Sequence, residues 1–152
     1  MPPTLVRYFA YGSNLKTSRL RDRIGKWERD QKAILRGYKR TFAKGYYDHK
    51  SGKANIRQSD NDIVEGAIYL ITEEQLKKLD LKEGVEKCVY KRMPVNVESS
   101  GEKIEAQTYV MSNEICTLKP SKEYLNLIIE GLEEHCYGPD VVEKVKAIAQ
   151  NS

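Results

Sequence analysis

Tyr8-Phe9-Ala10-Tyr11-Gly12-Ser13-Asn14-Leu15 is the stretch on which the reading of this chain turns. Its first half is apolar and aromatic, as a short buried strand is. It then stops in Gly-Ser-Asn and enters a polar segment with helical spacing. Gly12 is free to take backbone conformations closed to other residues, and Ser13 and Asn14 are favoured helix N-caps. Such a turn can aim several backbone N–H groups at one point. It then holds a carboxylate, a phosphate or a developing oxyanion. The alternative is an ordinary strand-to-helix connection.

Outward from that turn, residues 5–11 read as the strand and residues 16–24 as a helix with Leu15, Leu20 and Ile24 on one face. Residues 33–42 alternate, with Gly37 a bulge or bend. A turn at His49 to Gly52 leads into a short strand over 53–57. Asp60-Asn61-Asp62 then reads as a turn into a second strand over 63–71. Thr72-Glu73-Glu74-Gln75 fits a capping box, and the helix that follows ends near Lys82-Glu83-Gly84. Residues 89–97 and 104–111 read as a hairpin joined through Ser99-Ser100-Gly101. Ser121 caps a helix over 122–136, and Pro139 opens a last helix ending near Ala149. About six strands and four helices in mixed order predict an α+β fold with a mainly antiparallel, strongly bent sheet or small barrel.

A length of 152 residues, with 39% hydrophobic and 32% charged, suits one soluble globular domain over residues 1–152. Apolar runs are far too short to span a membrane. Met1-Pro2-Pro3-Thr4 does not begin a basic-then-apolar leader, so a cytoplasmic location is expected. The formal charge of +4 is mild, and interspersed Lys and Glu predict a solvated surface. Cys88, Cys116 and Cys136 are odd in number and widely spaced, which fits neither a disulfide framework nor a zinc motif. Reduced, partly buried thiols are expected.

Ser13 is a weak nucleophile candidate. The chain has no G-x-S-x-G pattern, and only His49 and His135 could serve as its base. Both histidines are expected at the surface, and Cys88 has no histidine nearby in sequence to activate it. Glu83, at a helix-to-strand junction, becomes a proton shuttle near neutral pH if apolar neighbours bury it. On spacing alone a solvated helix-end glutamate is the better reading. Ten tyrosines against two phenylalanines is unusual. Tyr8, Tyr11, Tyr90, Tyr109 and Tyr124 fall on core elements and together could line a polar cavity. Arg19, Arg21, Arg23, Lys26, Arg29 and Lys32 form a basic run around Trp27, but Asp22, Glu28 and Asp30 interrupt it and no nucleic-acid motif accompanies it.

The Tyr8–Leu15 stretch resembles the signature of the γ-glutamylcyclotransferase family. Later segments agree in order: Lys53-Ala54-Asn55-Ile56; Leu79-Asp80 with Glu83-Gly84-Val85 and Tyr90; Thr108-Tyr109-Val110-Met111-Ser112-Asn113; and Pro120-Ser121 with Tyr124. The resemblance covers almost the whole chain. It implies a small mixed β-barrel with flanking helices, Glu83 as the acid/base and no metal or organic cofactor. The implied reaction is cyclisation of γ-glutamyl amino acids or amines to 5-oxoproline and a free amine. It also implies that Tyr8, Phe9, Ala10, Tyr11, Gly12, Ser13, Asn14 and Leu15 bind substrate with Tyr90 and Tyr124, and that the partner is a small γ-glutamyl molecule, with a homodimer by analogy. Many relatives carry glycine where this chain has Cys88, and the segment 114–119 has its own composition. Both bear on the leaving group more than on the fold.

Two other function classes are weighed against this one. A non-catalytic module binding a small carboxylate would be disfavoured by the charge of Glu83. A nucleic-acid-associated protein would use the Arg19 to Lys32 run.

Overall fold

The structure is a computed structural model and describes residues 2–45 and 50–152. Six strands and four α-helices follow one another as β1 (Leu5–Ala10), α1 (Thr17–Ile24), β2 (Arg29–Lys44), β3 (Lys53–Thr72), α2 (Glu73–Glu83), β4 (Tyr90–Ser99), β5 (Glu102–Met111), β6 (Cys116–Thr117), α3 (Lys122–Glu134) and α4 (Pro139–Gln150). One-turn 3₁₀ helices lie at Ser13–Leu15 and Val85–Lys87.

Five strands close into a barrel in the order β3-β1-β5-β4-β2, because β2 also pairs with β3, and β6 adds to the outer edge of β2. β1 and β5 run parallel, and the other pairings are antiparallel. The expected α+β barrel with flanking helices is therefore the fold found. Closure gives each of these five strands a paired neighbour on both sides. Phe9, Phe42, Tyr69, Val64 and Val97 fill the core together with Leu15, Leu76, Ile128 and Leu132 from the helices and turns. Each such side chain stabilises the fold by roughly 1.5–3 kcal/mol.

Several elements form for the local reasons read from the chain. In α2 the Thr72 Oγ1 accepts from the Gln75 N–H at 3.0 Å while the Gln75 side chain accepts from the Thr72 N–H at 2.9 Å. Ser121 accepts from the Tyr124 N–H at 3.1 Å at the start of α3, and Pro139 occupies the first turn of α4. The β4–β5 hairpin turns on Ser100 and Gly101, both at positive φ (51° and 78°), as a two-residue hairpin turn requires.

Others differ from expectation. Residues 53–57 and 63–71 belong to one strand, β3. Arg36 pairs with Ile63 and Tyr38 with Gln58, so Gly37 alone faces residues 59–62. The turn signal at Asp60-Asn61-Asp62 marks a bulge there, opposite Gly37 at φ 83°, and the strand resumes its course. β2 starts at Arg29 and not near residue 33. Its first four residues are exposed and polar, and pairing with β3 places them in the strand without burial. Ser13 and Asn14 cap no helix: the 3₁₀ turn and α1 both begin without a side-chain cap. The three cysteines are exposed, not partly buried, because each stands in a loop or an edge strand. His135 is buried: its Nδ1 faces the Gly131 carbonyl at 2.8 Å and its Nε2 lies 3.3 Å from the Tyr69 hydroxyl. His49 lies outside the described residues.

Among the described residues no helix is long and apolar enough to cross a membrane.

Candidate active site

β1 delivers the chain into the barrel mouth, and the 3₁₀ turn at Ser13–Leu15 redirects it. Leu15 locks this turn from below: it is fully buried against α3 at Gly131, where a Cβ would stand 2.5 Å from the Leu15 Cβ. Gly12 has a negative φ, so its reason to be glycine is space. An added Cβ would stand 3.1 Å from Ala54 Cβ and 3.6 Å from the Tyr124 hydroxyl. The turn thereby borders a cavity of about 200 Å³.

Tyr8, Tyr11, Gly12, Ser13, Asn14, Glu83, Tyr90, Tyr109 and Tyr124 line that cavity. Residues separated by more than a hundred positions thus meet in one place, including all five tyrosines singled out from the sequence. Phe9, Ala10 and Leu15 do not join the wall. Phe9 and Leu15 are fully buried in the core and Ala10 nearly so. Strand alternation turns Phe9 away from the side of Tyr8, and Leu15 anchors the turn.

Each tyrosine hydroxyl has a partner. Tyr11 donates to the Tyr109 carbonyl at 2.6 Å, and Tyr109 donates to Asp80 at 2.6 Å. Ala54 on β3 holds two of them: its N–H donates to the Tyr124 hydroxyl at 2.9 Å, and its carbonyl accepts from Tyr90 at 2.8 Å. Burial pushes the Tyr124 hydroxyl up to about 12; the Ala54 N–H opposes the shift and the Glu83 carboxylate adds to it. Burial likewise holds Tyr8, Tyr11 and Tyr90 well above the usual tyrosine value. These phenols stay protonated, so each keeps a proton to donate and none serves as a base.

Glu83 closes the last turn of α2, and its side chain is 16% exposed. Asn14 Nδ2 donates to its carboxylate at 3.1 Å and to the Tyr8 hydroxyl at 3.0 Å. Arg23 stands 3.7 Å from the same carboxylate. Burial raises the Glu83 carboxyl above its ordinary value, against the opposing pull of Arg23, Asn14 and Arg19. Asn14 Oδ1 is buried and has no hydrogen-bond partner among the described residues.

Sequence reasoning missed the cations of the wall: Arg19, Arg23, Lys53 and Lys82. Arg19 donates to Ser13 Oγ at 2.9 Å. The Lys53 ammonium sits over the Tyr124 ring, 4.5 Å from its centroid. Burial lowers the Lys53 ammonium below its usual value, and Arg19 and Arg23 lower it further. Arg19 and Arg23 are four apart on a helix that begins at the turn, and that spacing puts both on one face. It was the available signal. The basic run is divided: Arg19 and Arg23 enter the cavity wall, Arg21 lies over Trp27, and Arg29 and Lys32 are on β2. Among the described residues no three His, Cys, Asp or Glu side chains converge to hold a metal ion.

The small mixed barrel places a half-buried carboxyl, a group of phenols and several cations around one cavity. Comparison with known proteins gives the family. The AIG2-like family model matches residues 63–144. Mouse γ-glutamylcyclotransferase is 33% identical over 95% of this chain and 79% of its own length, and the human protein is 34% identical with the same coverage. A solved γ-glutamyl cyclotransferase structure superposes with a TM-score of 0.89 at 31% identity, covering 95% of this chain and 88% of its own. The chain belongs to the γ-glutamylcyclotransferase family, a family of enzymes.

Cys88 takes the left-handed conformation at φ 58°. That is the conformation for which glycine is suited, and glycine is what the resemblance expects at this position.

Proposed function

We propose that this chain, acting as one domain, converts γ-glutamyl amino acids to 5-oxoproline and the free amino acid. The observation that carries the reading is the single half-buried carboxylate of Glu83 facing the Gly12–Asn14 turn across a phenol-lined cavity.

The substrate supplies its own nucleophile, its α-amine, so the enzyme needs no attacking serine or cysteine. Ser13 instead accepts a hydrogen bond from Arg19. The cavity folds the glutamyl chain so that amine and γ-carbonyl meet, an entropic task of roughly several kcal/mol. As the new C–N bond forms, Glu83 takes a proton from the amine. It returns that proton to the leaving nitrogen as the old C–N bond breaks, so the enzyme ends in its starting state. A carboxyl raised above its ordinary value suits both halves of this cycle. Asn14 Nδ2 orients the carboxylate.

The Leu15 and Lys16 N–H groups are consumed within the turn, bonding the Gly12 and Ser13 carbonyls at 3.0 and 3.1 Å. The anion cradle is therefore narrower than the sequence suggests, comprising the N–H groups of Gly12, Ser13 and Asn14. These hold the oxyanion of the tetrahedral intermediate, and Tyr124 adds its hydroxyl. Four cations against one carboxylate on the wall support a substrate with a carboxylate at each end, hence γ-glutamyl amino acids over γ-glutamyl amines.

The test is 5-oxoproline release from γ-glutamyl-alanine and from γ-glutamyl-ethylamine, which lacks the second carboxylate. Faster turnover of the dipeptide is expected. Absence of 5-oxoproline release from both compounds and from every other γ-glutamyl dipeptide contradicts the reading.

A further inference from the structure

Arg40, on β2, is buried in the barrel with 1% of its side chain exposed, and it does not belong to the cavity wall. Its Nε donates to the Tyr11 carbonyl at 3.0 Å, and its Nη2 donates to the Glu65 carbonyl. The Glu65 carboxylate lies 3.9 Å from Nη1 and accepts from Lys144 of α4 at 3.0 and 3.1 Å. Nη1 itself has no hydrogen bond among the described residues. A buried guanidinium so incompletely satisfied costs stability. Apolar residues commonly replace buried ion pairs of this kind without loss. Fold stability alone gives little reason for an arginine at this position.

The Tyr11 carbonyl supplies one. Among the described residues no peptide bond is cis, so the C=O and N–H of the Tyr11–Gly12 peptide point in opposite directions. Arg40 holds the carbonyl, so the Gly12 N–H points away from Arg40, and Gly12 lines the cavity whose wall Arg40 does not join. The Tyr11 phenol is tied to the Tyr109 carbonyl at 2.6 Å, which fixes the side chain and leaves the peptide plane to Arg40. A cation on the carbonyl also polarises the peptide and strengthens its N–H as a donor.

We propose that Arg40 is a positioning residue: through the Tyr11 carbonyl it aims and polarises the Gly12 N–H as an anion donor of the cavity. The identity of that anion, the oxyanion of cyclisation or the product carboxylate, rests on the γ-glutamyl reading above.

The experiment compares the wild type with Arg40→Lys, Arg40→Met and the double variant Arg40→Met/Glu65→Met. The double variant removes both buried charges and leaves Lys144, whose side chain is 38% exposed, to water. It is expected to melt within a few degrees of the wild type while kcat/KM for 5-oxoproline release falls about 100-fold, the order lost with an oxyanion donor. Arg40→Lys keeps a charge opposite Glu65 but lacks the fork, and it is expected to fall less. It carries the same test if the methionine variants do not fold. In ¹⁵N-labelled protein the Gly12 amide resonance is expected to move on addition of 5-oxoproline in the wild type and much less in the variants.

A folded variant with wild-type kcat/KM and a wild-type Gly12 response overturns the proposal. So does activity that falls only in step with the folded fraction. A wild type with no turnover overturns the functional reading alone. The Gly12 response to 5-oxoproline then decides on Arg40, and a wild type without one overturns the proposal too.

Discussion

Asp80 and Glu83 stand three residues apart on α2, with side chains 23% and 16% exposed. Their side-chain exposures are similar; their partners differ. Asp80 accepts from Arg92 Nε and Nη2 at 2.8 and 2.7 Å and from the Tyr109 hydroxyl at 2.6 Å. Its lone pairs are committed, and it stays outside the cavity wall. Among the described residues Glu83 has one hydrogen bond, from Asn14, and an arginine at 3.7 Å. It keeps acceptor capacity and faces open space. A saturated carboxylate holds elements together; an undersaturated one at a cavity is free to exchange a proton.

The contrast breaks most readily at Glu83. Glu83→Gln keeps the shape and removes the proposed proton carrier, and turnover should fall about 1000-fold. Its stability effect has the opposite sign. The folded state raises the Glu83 carboxyl, so it holds that proton more tightly than the unfolded chain. The group's contribution to stability therefore declines as pH rises from the ordinary value of 4.5 through the folded value. Thermal melts of Glu83→Gln and wild type should coincide below pH 4.5 and favour the variant at neutral pH.

Asn14→Ala removes the hydrogen bond that favours the ionised Glu83. Turnover should fall about 10–100-fold, as when a precise positioning contact is lost. The acidic limb of the pH–rate profile should also move to higher pH.

Asp80→Asn tests the other side of the comparison. It weakens the bonds to Arg92 and Tyr109 and should cost about 1.5–3 kcal/mol in denaturant unfolding. Turnover per folded molecule should change far less than in Glu83→Gln. An Asp80→Asn protein of normal stability and collapsed turnover would reverse the assignment. The smallest effect is expected from Thr72→Ala, which strips the capping box of the shared helix at about 1 kcal/mol and touches neither carboxylate.

The parts of this account legible in the chain were those with local signals. Thr72 and Gln75 announce α2, Ser100-Gly101 announces the hairpin turn, and the aromatic run into Gly12 announces β1 and its turn. Glu83 was a candidate on position and became the leading one only through family resemblance, since its hydrogen-bond donor, Asn14, lies 69 positions earlier. Arg40 gave no signal at all. Its significance lies in a carbonyl 29 residues away, across a strand pairing that the split reading of residues 53–71 obscured. The polar start of β2 was invisible because pairing, not burial, forms it.

The central claim is that Glu83 carries the proton of the cyclisation. Its most direct test is the pH dependence of kcat/KM for 5-oxoproline release by wild type and Glu83→Gln. The wild type should lose activity in acid with an apparent pKa above 4.5, and the residual activity of the variant should lack that limb. The same acidic limb at undiminished rate in Glu83→Gln would contradict the account.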